Sequence, residues 1–397
     1  MQHATDRSED SASIVLSTPV THCDWMWQHG KRIGQGKESV KYILDRCRGA
    51  GLRRIYWRCF DGGKALYASK LMDEEWTGYD VDNYHAWKSP GKDQVSYLEQ
   101  YRDFDSLKEA VDYGHEIGLE IHAWLSINED DHAWGLVSRF SRTHPQCRWV
   151  KRSGLPYNSQ LSFAFTQVRD YKLGLVKEIL SYDVDGVFFD WMRTGDVRNE
   201  PQATPDGSAD FGYETPLTEG FEKEHGVAPR TIPNDDERWV RHRAEPQTLF
   251  MREAHKLVKA KSDRLIISVM GHHPWSYRGA TPRVNGNLFG LLIDTATWAS
   301  EGLIDDIVAA GYYTEGGTPE KAYACMKEEV GRHCNIWLYW WVPPDVDDFR
   351  KSIETAEKLG AQQVLYWESD YLDLPERAAA VEELAATMAK RSLREGF

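Results

Sequence analysis

Two hydrophobic periods alternate along this chain. Short runs rich in β-branched and aromatic residues recur, and each is followed by a stretch whose apolar positions repeat at helical spacing. Eight runs predict strands: 13–17, 54–60, 119–126, 185–190, 264–270, 305–312, 335–342 and 363–369. Helices are predicted over 37–50, 105–117, 166–181, 246–261, 290–302, 319–332, 346–359 and 375–391. Strands that alternate with helices build parallel βαβ units, because the helix carries the chain back to the start of the next strand. Eight such units predict an α/β fold of the (β/α)8 TIM barrel type. A doubly wound open sheet is the alternative, but no GxGxxG follows an early strand to mark a dinucleotide site.

The connections are uneven. Those after predicted strands 2 (61–104), 3 (127–165) and 4 (191–245) are long, and all emerge on the C-terminal face, where barrel enzymes keep their active sites. Without an internal repeat, low-complexity tract or linker, the expectation is one domain over 1–397, with 191–245 as a loop insertion over that face.

Composition narrows the partners. Of the 397 residues 41% are hydrophobic and 28% charged, a soluble globular balance, and the net charge of −14 argues against nucleic acid. The start, MQHATDRSEDSAS, lacks the basic residues and apolar run of a secretory signal, and no stretch approaches the ~20 apolar residues of a membrane span. Cys23, Cys47, Cys59, Cys147, Cys325 and Cys334 are scattered without a CxxC pair, as free thiols would be. The expectation is a cytoplasmic protein with no membrane partner; nothing in the sequence bears on its oligomeric state.

The stretch DVDGVFFDWMRTG (183–195) carries the most chemistry. Strand alternation puts Gly186, Phe188 and Asp190 on one side and Val187 and Phe189 on the other. If Phe188 faces the barrel interior, Asp190 stands at its mouth, where a carboxylate can attack or stabilise a cationic carbon. The alternative is an Asp that caps its own loop. Glycoside hydrolysis needs a second carboxyl group across the scissile bond. Glu368 is the first choice, because aromatic surroundings would raise its pKa; Glu315 and Asp61 follow other strands.

Sixteen tryptophans reinforce a sugar-binding reading, since flat rings suit the apolar faces of pyranoses, although many will be core residues. Trp124, Trp191, Trp275, Trp340 and Trp367 are candidate contacts near strand ends. Alternation sends Trp340 and Trp341 to opposite sides, so at most one of them faces a ligand. Arg58, His122, Asn128, Arg193, His272, His273 and Tyr313 are candidates for binding hydroxyls. A rival reading gathers His22, Asp24, His122, His272, His273 and Asp370 around a metal ion, but the HxH pair common after the first strand of such hydrolases is absent. No metal or other cofactor is expected.

Three stretches, GLEIHAWLSIN (118–128), VDGVFFDWMR (184–193) and GYETPLTEGFEKEHGVAPR (212–230), together resemble the family 10 glycosyl-hydrolase-like proteins, a bacterial (β/α)8 family. There the third strand reads like EVHAW and the fourth like DGIHFDDYRYP. The resemblance runs from about the second strand to the eighth and rests on the order and spacing of the motifs. It implies action on bacterial glycans, including peptidoglycan strands stripped of peptides. By position Asp190 matches the strand-4 carboxylate, Arg193 the following Arg, and His122 and Trp124 the third-strand motif. Trp191 stands where a second Asp often sits, and TG replaces YP. Chitinase-like barrels carry DGxDxDWE on strand 4; Met192 occupies the place of that final Glu, which excludes a strand-4 proton donor here. The reading is a glycoside hydrolase acting on a bacterial or plant-derived oligosaccharide. A carbohydrate-binding pseudoenzyme and a metal-dependent barrel hydrolase are the alternatives.

Overall fold

Eight strands close on themselves: β1 (Val15–Val20), β2 (Arg54–Arg58), β3 (Glu120–Ser126), β4 (Gly186–Asp190), β5 (Ile266–His272), β6 (Asp306–Ala310), β7 (Asn335–Trp341) and β8 (Gln363–Trp367). Each pairs in parallel with its neighbours in chain order, and β1 pairs with β8 to complete the barrel. The open-sheet alternative is excluded. The computed structural model describes residues 14–21, 27–28, 31–32, 36–61, 63–72, 104–128, 130–132, 136–190, 192, 210–272, 286–310, 317–341, 343–367, 369, 372 and 377–395. Among them, no helix is long and apolar enough to cross a membrane.

Alternation along the strands splits the apolar residues into two cores. Ile55, Ile121, Leu125, Val187, Phe189, Ile267, Val269, Ile307, Ile336, Leu338 and Val364 face outward against the helices. Tyr56, Trp124, Phe188, Met270, Val308, Trp337, Tyr339 and Leu365 fill the barrel itself. The interior is thus packed mainly with large rings, each contributing about 1.5–3 kcal/mol by leaving water. Its N-terminal end is polar. Arg54 donates to Glu120 (2.7 Å), Asp306 (3.3 Å) and Gln363 (2.8 Å), and Gln363 donates to Ser17 (2.9 Å) and Tyr56 (2.8 Å). This network plugs the floor beneath the aromatic layers.

The helices are α1 (Gly36–Gly49), α2 (Ser106–Glu116), α3 (Thr166–Ile179), α4 (Thr215–His225), α5 (Glu237–Lys261), α6 (Gly286–Leu291), α7 (Thr295–Ser300), α8 (Pro319–Val330), α9 (Val346–Leu359) and α10 (Ala378–Glu395). Three starts are held by side-chain caps: Asp105, Thr318 and Asp345 each accept from a backbone N–H three residues on. Two expectations needed correction. The helix predicted from 246 begins at Glu237 and runs through Pro246, whose lost hydrogen bond, about 3 kcal/mol in an isolated helix, is outweighed by burial of Trp239, Val240, Phe250 and Met251. The helix predicted over 290–302 is two short ones, broken where Leu292 adopts φ 55°.

The long connections hold structure of their own. Within the β3–α3 connection, Arg148–Val150 pairs antiparallel with Pro156–Leu161. The segment before α4 joins its edge, with Tyr213 N–H donating to the Val150 carbonyl (3.0 Å) and Arg152 N–H to that of Asp210 (2.8 Å). The connections after β3 and β4 are therefore welded together. After β2, Tyr67, Ser69 and the backbone N–H groups of Lys70 and Leu71 all donate to the Glu178 carboxylate of α3.

Candidate functional site

Asp190 is the last residue of β4, paired in register with Ser126 of β3. Val187 and Phe189 belong to the outer core and Phe188 to the inner one, so Asp190 points inward at the C-terminal mouth. Its side chain is only 2% exposed, and Oδ2 accepts a hydrogen bond of 3.2 Å from Nε1 of Trp124. Above the Trp124 ring lies the guanidinium of Arg58, 4.9 Å from the centroid, with its Nε donating to the Phe60 carbonyl (3.2 Å). Three adjacent strands thus supply a cation, an indole and a carboxylate in line. The indole thus bridges the two charged groups, its face to the guanidinium and its N–H to Asp190.

Aromatic rings line the rest of the mouth. Trp367, ending β8, lies stacked on Tyr339 at 5.6 Å and edge-to-face with Trp124 at 5.5 Å. Trp341, ending β7, stands edge-on to Tyr339 at 6.2 Å and is 42% exposed. Trp340 has to be reassigned. It belongs to the outer core, and its Nε1 donates to Asp348 of α9 (3.0 Å), so it lies outside the barrel. Trp341 is the member of the pair on the inward side of the strand.

His122 is a second correction. It sits one inward position below Trp124, is fully buried, and its ring packs against Tyr56 at 5.3 Å, so it presents nothing to a ligand at the mouth. Burial pushes its pKa down to about 4, leaving it neutral at neutral pH. Neither nitrogen has a hydrogen-bond partner among the described residues, the nearest carboxylate being Glu120 at 3.6 Å. Gly186 makes room for it: a Cβ there would lie 2.5 Å from Nδ1 of His122.

Asn128 is buried just beyond β3. Asp61 lies in a two-residue pairing, opposite Lys64, directly after β2, and His272 closes β5. Val364 and Tyr366, with which Glu368 shares parity, face outward, and Tyr366 hydrogen-bonds Ser352 of α9 (2.7 Å). Glu368, Glu315, Trp191, Arg193, His273, Trp275 and Tyr313 lie outside the described residues, as do His22, Asp24 and Asp370. Among the described residues no three His, Cys, Asp or Glu side chains gather as a metal site would require.

One buried carboxyl group escaped sequence reasoning. Glu214, just before α4, accepts from Ser162 Oγ and from Val150 N–H (3.3 Å), and burial pushes its pKa up to about 7. It joins the β3 and β4 connections. The clue was a glutamate between an aromatic residue and a Thr-Pro helix start, which local patterning reads as surface. A groove of about 820 Å3 lies elsewhere, on the outer side of the barrel, lined by Arg241, Phe289, Thr297, Glu329 and His333 among others. It shares no residue with the mouth.

A family model described as glycosyl hydrolase-like 10 matches residues 15–332. No curated protein matches this sequence. Among solved structures, a β-galactosidase from the psychrophilic Marinomonas ef1 is similar at a TM-score of 0.58 and 12% identity, over 96% of this chain and 60% of that one. The chain thus spans less than two thirds of that galactosidase. The catalytic domain of a β-amylase from Paenibacillus polymyxa is similar at a TM-score of 0.56 and 11% identity, over 95% of this chain and 98% of that one. At such identities the likeness is one of fold, and both neighbours are barrel glycosidases.

Proposed function

Because the chain belongs to the glycosyl hydrolase-like 10 family, we propose that it is a glycoside hydrolase acting on an oligosaccharide, with Asp190 as nucleophile or charge stabiliser. The observation that carries this reading is the placement of Asp190: an inward carboxylate at the C-terminal end of a barrel strand, oriented by the Trp124 N–H and surrounded by aromatic rings. In glycoside hydrolysis the anomeric carbon becomes cationic in the transition state. A fixed carboxylate in a ring-lined, water-poor site stabilises that charge more strongly than water does, without reorganising as the charge develops.

The reading requires a second carboxyl group to protonate the leaving oxygen. Glu368, Glu315 and Asp61 are the candidates. Separation from Asp190 of about 5 Å would make the enzyme retaining, and roughly 6.5–9.5 Å inverting. In the same proposal residues 1–397 form one domain.

The test is product analysis by mass spectrometry after incubation with an oligosaccharide panel, comparing the parent with Asp190→Asn. Cleavage by the parent and its near-complete loss in the variant, with an unchanged circular dichroism spectrum, is the expected result. A variant as active as its parent would remove Asp190 from the mechanism. Sugar binding by the parent without cleavage would make the protein a carbohydrate-binding one.

A further inference from the structure

Ser126 ends β3 as Asp190 ends β4, and the two residues pair in register. Leu125 and Ile127 belong to the outer core and Trp124 to the inner one, so Ser126 points inward, beside Asp190 and one inward place above Trp124. It is fully buried, and its Oγ has no hydrogen-bond partner among the described residues. Buried polar groups are paired as a rule, and each exception calls for an explanation. Packing does not supply one here, because alanine would fill nearly the same space without stranding a donor.

Adjacent strands lie about 4.8 Å apart, so side chains that pair in register on one side of a sheet are within each other's reach. The acceptor that pairs with Ser126 in this way is the Asp190 carboxylate. Its Oδ2 takes the Trp124 N–H at 3.2 Å, and a carboxylate has about four lone-pair positions, so it accommodates more than one donor. The bond from Trp124 fixes one oxygen. Rotation about χ2 of an aspartate is soft, so a donor arriving from another direction is what restrains the plane of the carboxylate, and with it the oxygen turned toward a sugar. We propose that Ser126 is that donor: a turn about its χ1 swings the hydroxyl onto Asp190, which makes Ser126 a positioning residue for the carboxylate that faces the anomeric carbon. Arg58, over the Trp124 ring, offers donors only and cannot take the Ser126 proton. The proposal rests on the glycosidase reading and adds a residue to its machinery. Two alternate positions of one strand then hold the carboxylate, Trp124 from below and Ser126 from the side.

The test measures kcat and KM of the full chain and its variants with cellopentaose, chitopentaose, maltopentaose and xylopentaose, alongside thermal unfolding midpoints. Cleavage of at least one probe by the parent is expected. Ser126→Ala should then lower kcat on the order of 10-fold with KM within roughly twofold, while the unfolding midpoint holds or rises because a stranded donor has gone. Ser126→Cys fills the same place but donates only weakly, so its kcat should fall with that of Ser126→Ala. The control is Ser268→Ala. Ser268 also has a buried Oγ without a partner among the described residues, but it pairs in register with Phe188 and with Asp306 of the barrel floor, and its loss should leave kcat unchanged. Parent-like kcat in Ser126→Ala or in Ser126→Cys overturns the proposal and keeps the glycosidase. So does a fall in kcat that Ser268→Ala reproduces, since it would come from loosening the barrel. A parent that cleaves none of the probes removes the glycosidase reading and the proposal with it.

Discussion

Nδ1 of His122 lies 2.5 Å from the place a Cβ on Gly186 would occupy, so the two motifs HAW and DG are halves of one packing arrangement. The Ile266 carbonyl oxygen stands equally close on the other side, at 2.5 Å. The glycine that opens β4 is there because the barrel interior is already full at that level.

Gly186→Ala should therefore cost about 1–3 kcal/mol, the usual range for overpacking a tight core. Adding His122→Ala should recover part of that loss, though not all, because the carbonyl contact remains. Urea denaturation of the two single variants and the double variant measures it; strictly additive costs would show that the two residues do not share the space.

Trp124→Phe keeps the ring and removes the N–H that Asp190 accepts. If that bond orients the carboxylate for the reaction, kcat should fall on the order of 10-fold while KM changes little. A matched rise in KM with kcat intact would instead make Trp124 a binding contact.

Glu214 ties stability to pH. Its folded pKa, about 7, lies above the roughly 4.3 of an exposed glutamate, so the folded state favours the protonated carboxyl. This contribution is complete below the unfolded value and is lost as pH rises through about 7, a change on the order of 3 kcal/mol. Glu214→Gln, neutral throughout, should lose less stability than the parent between pH 5 and 9. Parallel urea midpoints for both proteins across that range would contradict it.

Arg54→Met leaves Asp306 buried without its guanidinium partner, and Glu120 loses its hydrogen bond. Breaking a buried ion pair on one side costs about 3–5 kcal/mol. The midpoint of thermal unfolding should drop accordingly, while KM for any cleaved oligosaccharide stays unchanged, since the network closes the end of the barrel opposite the mouth.

Much of the molecule could be read locally. The eight strands and their order followed from apolar runs that alternate with helical stretches, because strand burial and helix return are written in neighbouring residues. The inward direction of Asp190 followed from the same alternation, since Val187 and Phe189 had to meet helices. Where both sides of a strand are apolar, alternation loses its power. The barrel interior is a second hydrophobic core, so Trp337 and Tyr339 look no more polar than Ile336 and Leu338, and only packing shows that Trp340 is outside and Trp341 inside. Depth was equally invisible. His122 and Trp124 share one side of β3 and both are buried, but only the second lies high enough in the barrel to hydrogen-bond Asp190. Glu214 is buried by segments more than 50 residues away, and α5 passes through Pro246 because tertiary burial outweighs a local rule. The local pattern decided which residues alternate and where strands run; closure of the barrel decided which of them a ligand can reach, because exposure depends on what the rest of the chain covers.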